Sequence, residues 1–252
     1  MDERAVAQAL SKEEADWVVN AAAFTAVDLA EDQPALAHAV NETAVGSLAR
    51  ASVREGFRLL HLSTDFVFDG TSSRAYLPTD QTKPLSVYGA SKLAGERHVL
   101  EAAASGIVLR TSWVYAAVGK NFVLTILRLM REKDQISVVC DQIGAPTWAS
   151  SAAAAIWGLI EAGPKGGVYH WSDLGVASWY DFAVAIQDEA LARGLLSRTI
   201  PIAPISTAAY PTRARRPPFS VLDTASTRAL IDVPAQHWRQ NLRAMLDELR
   251  TA

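Results

Sequence analysis

The sequence predicts an α/β protein, a doubly wound parallel sheet continued by a smaller α/β part. Short apolar runs at 15–20, 57–63 and 107–112 alternate with helical patterns of ten or more residues, as parallel strands joined by crossover helices do. Several of these runs are apolar almost throughout, the pattern of strands covered on both faces. Small and polar residues gather where each run ends, at Ala22 to Thr25, Ser63 to Asp65 and Thr111 to Tyr115. In such sheets a ligand lies beyond the carboxyl ends of the strands, so three strand ends are expected to face one crevice.

The totals narrow the class. The chain has 252 residues, half of them hydrophobic and a fifth charged, with a net charge of −3. That is enough chain for one large domain or two smaller ones, and the charge gives no reason to expect nucleic acid or an anionic membrane as partner. Cys140 is the single cysteine, which excludes an internal disulfide or a cysteine metal cluster and fits a reducing cytoplasm. The start, Met-Asp-Glu-Arg, lacks the basic and apolar pattern of a signal peptide. The Ala-rich run from Ser151 to Ile160 is too short to cross a bilayer, so a soluble, cytoplasmic protein is expected.

Taken in order, residues 5–10 carry a helical apolar period and 15–20 a buried strand. The small side chains at 21–25 let backbone approach a ligand, or simply pack tightly. A helix is predicted from Pro34, tolerated in a first turn, to Glu55, with Gly56 as its stop. A strand over 57–63 follows, then a helix from Tyr88 to Ser105 ended by Gly106, and a strand over 107–112. Further on come an amphipathic helix over 121–132, a short strand over 136–139, and a loop over 141–147 with turn chemistry. A helix over 151–161, a turn over 163–167 and a strand over 168–171 precede a helix capped by Ser178 and running to about Ala192. Residues 199–220 are proline-rich with little periodicity and read as an extended loop, of a length that is usually functional. Arg213, Arg215 and Arg216 there suit phosphate oxygens, or form a solvated basic loop. A last amphipathic helix covers 237–249.

The chemistry concentrates between His61 and Glu96. Tyr88 and Lys92 are four apart, one helical turn on one face. A Lys beside a phenol favours the phenolate and lowers the Tyr pKa, and Thr64 at the end of the preceding strand is placed to share a substrate oxygen. That combination delivers a proton to a carbonyl and fits hydride-transfer chemistry. Tyr-x-x-x-Lys alone is more often a packed aromatic beside a solvated charge; the Ser-Thr-Asp strand end upstream is what favours the chemical reading.

With Thr64, Tyr88 and Lys92 in place, the chain resembles the extended short-chain dehydrogenase/reductase family, in its branch that reduces dTDP-keto sugars. The matching blocks are Val19 to Asp28, Ser63 to Gly70, Tyr88 to Glu96, Arg110 to Tyr115, Gly144 to Thr147 and Arg216 to Asp223. The resemblance implies a Rossmann-like nucleotide-binding part over 1–116 and a mainly substrate-binding part over 117–252, with some segments returning to the first sheet. It implies NAD(P)H-dependent reduction of the C4 keto group of dTDP-4-dehydro-L-rhamnose to dTDP-L-rhamnose. Tyr88 would protonate the C4 oxygen, Lys92 would lower the Tyr88 pKa and hold the nicotinamide ribose, and Thr64 would hydrogen-bond the carbonyl. Ala22, Ala23, Phe24, Thr25 and Ser63 would join Tyr88 and Lys92 around the cofactor. Asp65, Val67, Trp113, Asn121 and Arg216 would join Thr64 around the substrate. Some members form homodimers through carboxylate-bound Mg2+, for which no residue is assigned here.

Phe66 stands where the family usually has Tyr, which removes a hydroxyl and keeps the ring. It also separates the chain from sugar-nucleotide dehydratases, which place Glu after the Asp to move a proton from carbon. Epimerisation, which reuses the same Tyr and Lys, stays an alternative. The family begins with a strand and a Gly-rich turn that grips the cofactor pyrophosphate, whereas the first glycine here is Gly46. Matching the blocks places Met1 inside the third helix of the fold, with a βαβ unit of ~30 residues or somewhat more before it. A fragment or a misplaced start is the leading expectation. A short form that binds cofactor poorly is the other, and with it a non-catalytic subunit like the regulatory subunit of methionine adenosyltransferase.

Overall fold

The computed structural model describes residues 15–102 and 104–251; the helical period at 5–10 lies outside them. Strand β1 (Trp17–Asn20) leads through a loop into helix α1 (Val27–Asp32), and α2 (Pro34–His38) follows at once. A π-helical turn over Ala39–Thr43 joins α2 to α3 (Ala44–Glu55), so the single helix expected from Pro34 to Glu55 is present but widened in the middle. Gly56 stops it in the left-handed conformation, φ 82°, with its N–H on Ser52 O. Strand β2 (Arg58–Thr64), a 3-10 turn (Asp65–Val67), helix α4 (Val87–Ala102) and strand β3 (Ile107–Thr111) complete the first half.

β4 (Val114–Tyr115) opens the second half, followed by α5 (Phe122–Glu132), β5 (Ile136–Val139), β6 (Ile143–Gly144) and β7 (Thr147–Trp148). Then come α6 (Ala149–Ala162), β8 (Gly167–His170), β9 (Ala177–Ser178), α7 (Trp179–Ala192), β10 (Ile202–Ile205), α8 (Ala225–Leu230) and α9 (Trp238–Thr251). Ser178 caps α7 as expected, in a reciprocal box with Asp181.

The main sheet has the order β1-β2-β3-β8, all parallel. Helices cover both faces: Val45, Ala49, Leu59, Val99 and Val108 pack on one side, and Leu60, Leu109, Ala155, Leu159 and Trp171 on the other. Strand periodicity therefore turns His61 and Ser63 toward α4, where they meet Lys92 and Glu96. A separate core around Leu127, Phe182, Ile186 and Leu242 holds the second half.

Three features depart from the sequence reading. The 199–220 loop contains β10, which pairs parallel with β5 from Ile202↔Ile136 to Ile205↔Val139. Its prolines masked it, yet Pro204 is tolerable because β10 is an edge strand with one neighbour. The two-residue strands and the short helices α1 and α8 are below the length at which periodicity speaks. Among the described residues, no helix is long and apolar enough to cross a membrane.

Candidate active site

Adjacent parallel strands bring the carboxyl ends of β1, β2 and β3 to one edge. Thr64 closes β2, and its Oγ1 accepts the Phe66 N–H at 3.2 Å while its hydroxyl donates to Asp65 Oδ1 at 3.1 Å. Tyr88 stands in the first turn of α4, edge-on to the Phe66 ring at 5.5 Å, with the Thr64 hydroxyl beside its phenol. α4 approaches this closely because two of its residues have no Cβ. A Cβ on Gly89 would lie 2.3 Å from Phe66 O, and one on Gly95 would lie 2.2 Å from Asn41 O.

The electrostatics overturn one expectation. Burial pushes the Tyr88 phenol up to about 12, and the Asp65 carboxylate adds to the rise. Lys92 does not offset this, because its amine is turned inward to Leu62 O at 2.6 Å and His61 Nε2 at 3.2 Å. Burial in turn lowers Lys92 to about 8, against a partial rise from Glu96. Asp65 is 2% exposed, and burial raises it to about 6. The phenol is thus held protonated, the state needed to give a proton away.

Other predicted residues are placed less uniformly. Ala22 and Thr25 are exposed at the β1 end, with Ala23 and Phe24 half-buried. Ser63 donates to Glu96 Oε1 at 2.5 Å and so points into the protein. The Val67 side chain is fully buried beside Phe68 and Leu93, which leaves only its backbone for a substrate. Asn121 is committed to structure: it caps α5 by accepting the Leu124 N–H at 3.1 Å and donates to Ala116 O at 2.8 Å. Trp113 has a positive φ of 49°, stacks on Trp179 at 3.5 Å and lies where a Gly144 Cβ would be, 2.5 Å from its ring.

A cavity of about 580 Å³ opens beside that stack, lined by Phe122, Gln142, Trp179, Tyr210, Arg213 and Arg216 among others. It does not include Thr64, Tyr88 or Lys92. Arg213 and Arg216 are not free here. Arg213 pairs with Asp32, and Arg216 grips Asp28 with two bonds of 2.7 and 3.1 Å. The Ala214 N–H adds a third bond to Asp28 at 3.1 Å, so the 210–216 loop is clasped to α1.

Sequence reading missed the residues that hold the site from behind. Asn41, fully buried on the π turn, accepts the Phe24 N–H at 2.8 Å and donates to Phe24 O and Ser91 Oγ. Glu96 and Arg110 form a buried two-bond pair at 2.7 and 2.9 Å. His61, fully buried, links Lys92 to Asn20. Charged or amide residues inside apolar patterns were the available signal, since such groups stay buried only when paired. Among the described residues no group of three or more His, Cys, Asp or Glu is arranged to hold a metal ion, so the Mg2+ expectation finds no support.

The family model "RmlD substrate binding domain" matches residues 1–251. A dTDP-4-dehydrorhamnose reductase of Aggregatibacter actinomycetemcomitans is 42% identical over 231 residues, covering 90% of this chain and 79% of that protein. One from Escherichia coli K12 is 40% identical over 250 residues, covering 98% and 84%. Among solved structures, dTDP-4-dehydrorhamnose reductase from Bacillus anthracis in complex with NADP superposes with a TM-score of 0.92 at 34% identity, covering 98% of this chain and 85% of that one. The chain belongs to the dTDP-4-dehydrorhamnose reductase family.

Proposed function

We propose that this chain is the NAD(P)H-dependent reductase that converts dTDP-4-dehydro-L-rhamnose to dTDP-L-rhamnose. The observation that carries the chemistry is the Thr64–Tyr88 pair at the strand edge, with the phenol held protonated by burial. The donor set fits a nicotinamide and its ribose: small exposed residues Ala21 and Ala22 at the β1 end, the Tyr88 hydroxyl and the Lys92 amine. Bound there, the nicotinamide supplies the hydride for C4. Tyr88 gives its proton to the C4 oxygen, and Thr64 orients that oxygen by a hydrogen bond. Asp65, uncharged below about pH 6, is placed to bond a sugar hydroxyl. Lys92 fixes the ribose side of the crevice.

The second half supplies the substrate grip. Trp113 offers a ring face to the sugar, and the cavity beside Trp179 takes the nucleotide, with Arg213 and Arg216 exchanging their carboxylates for the diphosphate. On this reading residues 1–116 hold mainly the cofactor and 117–252 mainly the substrate, β8 returning to the first sheet. NADP in the Bacillus anthracis relative favours NADPH as the donor.

The test is NADPH oxidation by the purified chain with dTDP-4-dehydro-L-rhamnose, alongside Tyr88→Phe. Loss of the proton donor is expected to slow turnover by roughly 10²–10⁴-fold. Absence of turnover, or a Tyr88→Phe variant as fast as the parent, refutes the assignment.

A further inference from the structure

His61 sits between two hydrogen-bond donors. Its Nε2 is 3.2 Å from Lys92 Nζ and its Nδ1 is 3.0 Å from Asn20 Nδ2. A neutral imidazole has one N–H and one lone pair, an ammonium has only donors, and a carboxamide has one donor end and one acceptor end. The Asn20 carboxamide is oriented independently, because its Oδ1 accepts the Ala22 N–H at 3.2 Å. Nδ1 must therefore accept, which leaves the ring proton on Nε2, aimed at Lys92. The contact is attractive only when Lys92 is an uncharged amine that accepts this N–H while donating to Leu62 O.

The alternative state has its own geometry. A charged Lys92 must donate to the Nε2 lone pair, so the ring proton moves to Nδ1. That N–H finds an acceptor only if the Asn20 carboxamide turns over and releases the Ala22 N–H. Net uptake is one proton, on Lys92; the ring exchanges one N–H for the other. Ala22 belongs to the β1 end that faces the cofactor, so the charge of Lys92 is transmitted to that loop.

We infer that His61 is a positioning residue which fixes the Lys92 amine and couples its charge to the Asn20 carboxamide and the Ala22 backbone. This deepens the reductase reading, since it takes Lys92 as the residue on the ribose side of the crevice. The other charged groups around the pair are accounted for. Glu96, one turn along α4, favours the charged amine but is itself neutralised by Arg110 from β3, and on the substrate side stand Tyr88 and Asp65. β1 contributes Asn20 and no charge.

The experiment is nitrogen-15 NMR of the histidine rings in the full chain, without cofactor or substrate, through the pH range around 8; His61→Gln assigns the signal. The expected result is an Nε2–H ring at high pH that shifts toward Nδ1–H as Lys92 gains its proton, with the step absent in Lys92→Met. An Nδ1–H ring at every pH, or a step that persists in Lys92→Met, overturns the inference. Its failure leaves the reduction reading intact, which the turnover assay tests separately. A second readout is the pH profile of kcat in His61→Leu. Leucine removes both the opposing N–H and the lone pair that the ammonium takes up, so the limb that reports Lys92 moves by about one pH unit, a tenfold change. A profile that does not move, with the protein folded, also overturns it.

Discussion

Gly95→Ala separates helix propensity from close approach. In an ordinary helix interior the change favours folding by about 1 kcal/mol. Here the new Cβ would stand 2.2 Å from Asn41 O, a backbone atom, and 3.5 Å from Val45 Cβ. A carbon against a carbonyl oxygen rests at about 3.3–3.6 Å, so α4 must retreat from the π turn by roughly 1 Å. Overpacking of this kind costs about 1–3 kcal/mol. Because the opposing atom is main chain and cannot rotate away, the upper end applies, and the net loss is about 2 kcal/mol. The retreat also moves Tyr88 and Lys92, which ride on α4, and a misplacement of ~1 Å costs on the order of 10²-fold in rate. Urea unfolding and kcat with saturating substrate measure the two effects. A higher unfolding midpoint with an unchanged rate would refute the reasoning, because it would mean that α4 does not depend on contact with the π turn.

Other perturbations test the remaining parts. Glu96→Ala leaves the Arg110 guanidinium, 3% exposed, without its carboxylate and is expected to cost about 3–5 kcal/mol in urea unfolding. Gly144→Ala drives a Cβ to 2.5 Å from the Trp113 ring; KM for the dTDP-sugar should rise several-fold while NADPH affinity, read by calorimetry, stays put. The folded pKa of Asp65, about 6, lies above its ordinary value, so the folded state holds a proton that the unfolded chain releases between about pH 4 and 6. Stability therefore falls as pH rises through that window, by about 3 kcal/mol in full. Asp65→Asn should flatten this dependence when unfolding is followed at a series of pH values. Glu189 runs the other way: against the rise from burial, Arg243 and Arg239 hold it down to about 2, so its stabilisation is complete above the ordinary carboxylate pKa and disappears as pH falls toward 2.

What could be read in advance was whatever depended on neighbours in the chain. Tyr88 and Lys92 are four apart beside the Ser-Thr-Asp strand end, Thr64 ends an apolar run, and Ser178 stands where a helical period begins; local pattern exposes all of them. The Lys92 effect on Tyr88 could not be read, because its sign depends on where the amine points, and Leu62 O and His61 draw it inward. Asn41, His61, Glu96 and Arg110 find their partners 14 to 50 positions away, beyond any local pattern. The arginines of the 210–216 loop were legible as charges but not as ion pairs, since Asp28 and Asp32 lie across the fold. β10 was hidden for a similar reason: the strand it pairs with lies more than sixty residues earlier.

The Asp28 clasp also bears on how the protein is made. Asp28 takes its backbone bond from Ala214, 186 residues later. At about 5–20 residues per second, synthesis of the intervening chain takes roughly 10–40 s. The sheet strands β1, β2, β3 and β8 have all left the ribosome before that partner exists. The face of the nascent sheet that bears the crevice therefore stays unlatched until residues 210–216 have been made, and α1 must wait, carboxylates exposed, for the loop that will tie it down.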